Sequence, residues 1–173
     1  MVNLEAKLEF LRTLGADSQH SMGTALEHFL GTYELLRFWQ EPDHVCDAGL
    51  FHSVYGRKSI DRDWLSTDHR QFVRKIIGKD AESLVYAFCS MSDVKTDEGR
   101  VIYINRFDGK ETTLDPCDST SLATVAFANF LEQYVRLGRE YFDGKSMPWF
   151  GMHSGRFSPR AKLAFRASGL PNQ

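Results

Sequence analysis

The chain has 173 residues, of which 42% are apolar and 25% are charged, and its formal net charge is −2. These values are typical of one globular domain, and the slightly acidic balance argues against a nucleic-acid partner, for which a basic patch is the usual signature. No apolar run approaches the ~18 residues of a membrane-spanning helix, and the N-terminus carries charges unlike those of a signal peptide. We therefore expect a single cytoplasmic domain over residues 1–173 without a membrane partner.

Helical periodicity dominates the first part of the chain. A leucine stripe that starts at Leu4 predicts a first helix, which Gly15 ends. A second helix begins at Thr24, because Glu27 three residues later completes a capping-box pattern. This helix carries apolar residues on two faces, which is typical of a buried helix. The pattern therefore places His28 on an inward side.

A third helix is predicted to begin at Pro42 and to end near Gly56. The small residues Ala48 and Gly49 share one face of it, which allows another helix to approach closely. His52 follows on that same face. Two helices that are adjacent in sequence thus each direct a histidine inward.

Further helices are predicted from Ser66 or Thr67 to Ile77, and from Asp80 to about Ser92. A small β-hairpin at about 101–114 has an Asp-Gly pair at its turn. Asp115-Pro116 opens the longest helix, which is predicted over about 118–142 with Asp118 or Ser119 as its cap. The fold class is therefore mainly α, a helical bundle with one small β-hairpin.

The segment 141–157 is dense in aromatic residues and glycine, and a last short helix begins at Ser158-Pro159. A long irregular segment of this composition either packs over the core or acts as a lid over a site. Both interpretations of this segment stay open. Exposed Trp149 and Phe150 would instead fit a surface that contacts a partner.

The two inward histidines are the leading candidates for chemistry. Buried polar side chains normally have hydrogen-bond partners, so one interpretation of His28 and His52 is a pair of satisfied core histidines. Neutral imidazole is also the commonest metal ligand, and two facing helical histidines can form half of a metal site. Both interpretations stay open on the spacing alone.

Residues 24–56 resemble the start of an HD-domain metalloprotein. His28 falls at the place of that superfamily's first histidine ligand, and His52-Ser53 falls at the place of the His-Asp pair. Asn129, within Ala-Phe-Ala-Asn-Phe, falls at the place of the last aspartate ligand. The form Leu-Phe-His-Ser-x-Tyr-Gly over residues 50–56 also resembles an uncharacterised HD-like group that has His-Ser in place of His-Asp. The resemblance covers roughly residues 18–140 and implies an HD-like helical bundle.

The chain departs from the HD pattern at both carboxylates. Ser53 and Asn129 are neutral where the superfamily has aspartates, which weakens binding of a divalent cation and argues against ordinary HD phosphohydrolase activity. Asp93, at the predicted end of the helix that starts at Asp80, is an alternative final acid.

The resulting hypothesis is an HD-like protein with a polar pocket for a small molecule, and the sequence leaves open whether it is an enzyme. The predicted site residues are His28, His52, Ser53 and Asn129, with His20, Tyr55 and Arg106 as substrate contacts. Either a neutral histidine acts as general base, or His28 and His52 hold iron, zinc or manganese for hydrolysis or oxygenation. The alternative from another class is a catalytically inactive binding module without metal. The reaction, the metal and the oligomeric state stay open.

Overall fold

A computed structural model describes residues 2–20, 23–56, 64–97, 100–138 and 153–170. Within these ranges the chain is mainly helical. The α-helices are α1 (Leu4–Thr13), α2 (Ala25–Phe38), α3 (Asp43–Phe51), α4 (Arg70–Ile77), α5 (Lys79–Ser90), α6 (Pro116–Leu137) and α7 (Pro159–Ala167). Short 3-10 helices cover Thr67–His69 and Ser154–Arg156. No helix in the described ranges is both long and apolar enough to cross a lipid bilayer.

Two small antiparallel sheets accompany the helices. β1 (Gln19–His20) pairs with β2 (Gly23–Thr24), directly before α2. A three-stranded sheet has the order β3-β4-β5, formed by β3 (Met91–Asp97), β4 (Arg100–Asn105) and β5 (Glu111–Leu114). The predicted hairpin is therefore two strands of a larger sheet.

Helix α2 lies at the centre of the helical core, where it packs against both α3 and α6. Its predicted capping box is confirmed: the Thr24 hydroxyl accepts from the Glu27 amide at 3.1 Å, and the Glu27 carboxylate accepts from the Thr24 amide at 2.7 Å. These bonds satisfy orphan N–H groups of the first turn. The cap fixes where α2 begins and hence which residues face its two neighbours.

An aromatic stack anchors the C-terminal part of the chain to α6. The Phe127 ring lies parallel to the Phe157 ring at 4.8 Å between centroids and to the Trp39 ring at 5.5 Å. Phe157 is 1% exposed, so the end of the aromatic segment 141–157 packs into the core. Residues 141–152, with Trp149 and Phe150, lie outside the described residues.

The boundary predicted near Ser92 was wrong, because α5 ends at Ser90 and the backbone continues directly into β3. Met91 pairs with Asn105, so backbone groups that would have continued the helix bond to β4 instead. The cap predicted for the longest helix was also wrong. The Asp115 carboxylate accepts from the amide of residue 118 at 2.9 Å, and α6 begins with Pro116 at its first position.

The close approach predicted at Ala48 and Gly49 is present between α3 and α2. A Cβ atom added to Gly49 would lie 2.2 Å from Leu36 Cδ1 and 3.5 Å from Thr32 Cγ2. Both neighbours are fully buried, so neither can move aside without disturbing the core. Glycine at this position sets the distance between the helices that carry the two histidines.

We expect Gly49→Ala to lower the free energy of unfolding by about 1–3 kcal/mol through overpacking, despite the better helix propensity of alanine. Urea denaturation monitored by circular dichroism measures this change. Gly155→Ala is the matched control, because a Cβ atom there meets nothing within 4 Å. Unchanged stability of the Gly49 variant would contradict the close approach.

Candidate functional site

The structure brings the two predicted histidines together. His28 lies on α2 and His52 directly follows α3, and their ring centroids are 5.0 Å apart with the rings nearly perpendicular at 86°. They are 2% and 1% exposed, so the predicted inward placement is confirmed. A contact between helices α2 and α3 therefore contains two imidazoles within an otherwise apolar core.

His52 is held by its own turn and by two aromatic rings. Its Nδ1 donates to the carbonyl oxygen of Gly49 at 2.7 Å, which places the proton on that nitrogen. The rings of Phe29 and Phe88 meet the imidazole at 87° and 83°, with centroids 5.2 and 5.5 Å away. The orientation of this imidazole is therefore fixed from three sides.

His28 is bound to a carboxylate from a distant part of the chain. Its Nδ1 forms a hydrogen bond with Oε2 of Glu132 on α6. Because an ionised carboxylate only accepts, this bond places a proton on Nδ1 and fixes the orientation of the ring. A histidine oriented by a carboxylate in this way is a common arrangement for proton transfer.

The other nitrogen of His28 faces two amide side chains. Gln133 Nε2 lies 3.1 Å from His28 Nε2 and 3.2 Å from Asn129 Oδ1. With this amide orientation, Gln133 donates to both atoms and His28 is neutral. If the side-chain amides of Gln133 and Asn129 were both rotated by 180°, the oxygen of Gln133 would accept a hydrogen bond from a protonated His28 Nε2. The network can therefore accommodate either protonation state of the imidazole.

Glu132 also holds Arg136, one turn further along α6. Arg136 Nε donates to Glu132 Oε1 at 2.7 Å, so each carboxylate oxygen has a different cationic or imidazole partner. Gly31 allows this arrangement, since a Cβ atom there would lie 2.8 Å from Glu132 Cγ. The two terminal nitrogens of Arg136 are buried and, among the residues that the structure describes, have no hydrogen-bond partner, in contrast to the Nε atom.

Two opposing effects set the charge state of Glu132. Burial by itself raises the pKa of this carboxyl, but the hydrogen bonds from His28 and Arg136, together with the charge of Arg136, outweigh burial, and the net pKa is below its ordinary value of 4.5. Glu132 is therefore an anion at neutral pH. The site combines a fixed negative charge, an oriented imidazole and a partly unsatisfied guanidinium.

Glu132 and Arg136 were not predicted as site residues from the sequence. Both share one face of α6 with Asn129 and Gln133, because positions 129, 132, 133 and 136 have the i, i+3, i+4, i+7 spacing of a helical stripe. A polar stripe on an otherwise apolar helix was the available signal. The carboxylate lacking at position 129 is thus present one turn later.

Tyr55 and Arg106, predicted as substrate contacts, are occupied by structural bonds. Tyr55 is 1% exposed, and its hydroxyl donates to the buried carboxylate of Glu82 at 3.2 Å. Arg106 donates to the carbonyl oxygens of Cys89 and Tyr55, at 2.8 Å each. Glu82 is further paired with Arg70 and Arg74. These contacts join the segments that directly follow α3 and β4 to helices α4 and α5. They favour a structural role for both residues.

The remaining predicted residues lie in different settings. Ser53 is buried directly after His52. Asp93 is not at a helix end as predicted: it is exposed on β3, beside an irregularity in the pairing with β4, and has a positive φ of 48°. For His20 the structure describes only the backbone, in β1, so its predicted role stays a prediction.

The HD resemblance implies a divalent metal, and the donor set present here does not fit one. Residues 53 and 129 are neutral, and Nε2 of His28, the ring nitrogen that Glu132 leaves available, already lies 3.1 Å from Gln133 Nε2. Among the described residues, no group of three or more His, Cys, Asp or Glu side chains is arranged to hold a metal ion. Asp93 accordingly does not join the two histidines in such a group.

Fold and site together define a mainly helical domain with a buried histidine–carboxylate network. The model of a family described as "Domain of unknown function (DUF6817)" matches residues 10–93. The matched residues include both histidines and end before α6, which supplies the carboxylate. No curated protein and no solved structure matches the chain.

We expect Glu132→Gln to lower the free energy of unfolding by about 1–3 kcal/mol above about pH 5, because it removes hydrogen bonds to a charged group. A lowered folded-state pKa gives stability that is complete above the unfolded value of 4.5 and is lost as the pH falls below it. The difference between variant and wild type should therefore shrink below about pH 4.5. Urea denaturation at several pH values measures it.

Glu34→Gln is the matched control, because Glu34 is an exposed carboxylate on α2. Its variant should keep the pH dependence of the wild type. A Glu132 variant whose stability deficit stays constant down to acid pH would show that the carboxylate does not carry this linkage.

Proposed function

We propose that this chain is an HD-like helical domain that binds a small anionic molecule at Arg136, with His28 and Glu132 as a metal-independent acid–base pair. The observation that carries the proposal concerns the terminal nitrogens of Arg136, which lie beside that pair, are buried and have no hydrogen-bond partner within the described part of the chain.

The HD-like assignment is supported by the placement of the motif residues. His28 on α2 and His52 after α3 face each other at 5.0 Å, and Asn129 on α6 joins the same polar network through Gln133. These are the three places at which the resemblance locates metal ligands. The departure from the family pattern is chemical, since neutral Ser53 and Asn129 stand where aspartates are expected.

Anion binding is supported by the unmet hydrogen-bonding capacity of Arg136. Buried polar groups are rarely unsatisfied in folded proteins, and each unmade bond costs about 1–3 kcal/mol or more for a charged group. Glu132 uses only the Nε edge of the guanidinium, so Nη1 and Nη2 can still donate. An oxyanion such as a carboxylate or phosphate matches two parallel donors of this kind.

The acid–base role is supported by the orientation of His28. Glu132 holds the proton on Nδ1, so Nε2 is the atom that can take a proton from a bound molecule. Glu132 then stabilises the imidazolium, as the carboxylate does in hydrolase triads. Gln133 now donates to Nε2, so a ligand hydroxyl or water must replace this amide before His28 can act.

One observation favours a second candidate, a binding module without catalysis. His28 is 2% exposed and its Nε2 is already hydrogen bonded to Gln133. In that case the network holds the anion and orients α2 against α6, and no proton moves. Anion binding is common to both candidates, so the binding experiment comes first.

We expect inorganic phosphate or acetate to bind saturably to the wild-type protein, and Arg136→Gln to weaken that binding roughly 10-fold or more, as loss of a charge-assisted pair predicts. Isothermal titration calorimetry measures both affinities. Arg12→Gln is the matched control, since Arg12 pairs with Glu5 and Glu9 at the surface. Arg136→Lys keeps the charge but not the paired donors, and should bind more weakly than wild type.

Absence of saturable binding to the wild type would overturn the proposal. Equal losses in the Arg136 and Arg12 variants would also overturn it, because they would indicate only general electrostatic attraction.

The metal-independent part has its own test, elemental analysis of untagged protein purified without chelators. We expect no stoichiometric iron, zinc or manganese. Near-stoichiometric metal that disappears in both His28→Ala and His52→Ala, but not in His69→Ala, would overturn this part and restore the metal-dependent hydrolase or oxygenase hypothesis. His69 is the control because it is exposed at the end of a 3-10 helix.

A further inference from the structure

A pocket of about 300 Å³ lies between the three-stranded sheet and α6. Its inner wall is apolar and is formed by side chains that are at most 9% exposed: Phe88, Val101, Leu114, Leu122 and Ala123. Ligand sites are typically concave, mostly apolar and begin at about this volume. The pocket is therefore large enough for a small organic molecule.

One cation lies at the rim of this pocket. Arg156, in the 3-10 helix Ser154–Arg156, donates from Nη2 to Thr96 Oγ1 at 3.2 Å. Among the described residues it has no carboxylate partner, and none of the described residues lining the pocket is acidic. Arg156 thus lines an apolar cleft and forms no ion pair with the described residues.

The second ionisable group at the rim is His153. Burial, and then the charge of Arg156, lower its pKa below the ordinary 6.5, so the imidazole is neutral at physiological pH. Among its described lining residues, the pocket therefore presents one positive charge, that of Arg156, next to an apolar wall. That combination is complementary to a molecule with an apolar body and one negative charge.

We propose that this pocket binds a small amphipathic monocarboxylate, with its apolar body against the sheet and α6 and its carboxylate paired with Arg156. Burial of the apolar body supplies the larger part of the affinity, at roughly 25 cal/mol per Å² of apolar surface. The guanidinium selects the anionic head, because carboxylates match its planar donors. A fully polar anion would leave the apolar wall without a partner.

This pocket is separate from the His28–Glu132 network but touches it through one residue. The Phe88 side chain lines the pocket, and its ring meets the His52 imidazole at 5.5 Å. A ligand that moves the Phe88 ring would therefore change the contact between this ring and the His52 imidazole. The inference does not depend on the proposed function, since no residue of the network binds the carboxylate.

Octanoate is the probe, and its neutral counterpart is octanol. We expect octanoate to bind the wild type and to shift the methyl NMR signals of Val101, Leu114 and Leu122, which locates it in the pocket. Arg156→Gln should weaken octanoate roughly 10-fold and leave octanol nearly unchanged. Arg160→Gln, at an exposed basic residue in the first turn of α7, should leave octanoate affinity unchanged.

A variant that fills the pocket provides a test independent of charge. Ala126 lines the pocket and is only partly buried, so Ala126→Met should reduce binding of both probes. Val135→Met is its control, because Val135 is 76% exposed on the same helix. Absence of octanoate binding to wild type, shifts confined to surface methyl groups, or equal losses in the Arg156 and Arg160 variants would each overturn the proposal.

Discussion

The hydrogen bond between His28 and Glu132 joins α2 to α6 across 104 residues of sequence. A charged carboxylate that is about 10% exposed is tolerable in a core only when its lone pairs are satisfied. Here one oxygen is bound by His28 and the other by Arg136. The glycine at position 31 leaves the space that the carboxylate occupies, so the packing of the two helices and the charge of the site depend on each other.

A second buried carboxylate has different partners, and the comparison distinguishes a structural ion pair from a candidate binding site. Glu82 is completely buried, forms ion pairs with Arg70 and Arg74, and accepts a hydrogen bond from the hydroxyl of Tyr55. Its cluster fastens α4 and α5 to the end of α3. Around Glu132, by contrast, two terminal nitrogens of Arg136 have no partner among the residues in the described ranges. Unmet capacity in a buried cluster is what distinguishes a candidate binding site from a structural ion pair.

The replacement of two expected aspartates by Ser53 and Asn129 changes the chemistry that the helices support. Removing two negative charges weakens the attraction for a divalent cation, whereas Arg136 adds a positive charge on the same face of α6. Glu132 lies beside Arg136 on that face and balances its charge. The carboxylate of Glu132 on that face of α6 orients the His28 imidazole.

The sequence by itself determined the parts of this protein that depend on local interactions. The capping box at Thr24, the inward position of His28 and the small-residue face at Gly49 each follow from spacing within one or two turns, and the structure confirms them. Only the tertiary structure decided where α5 gives way to β3, because Met91 exchanges helical bonds for pairing with a strand that lies later in the chain. It likewise decided that Glu132 is the partner of His28, since helical periodicity orients a side chain but does not specify which distant residue it meets.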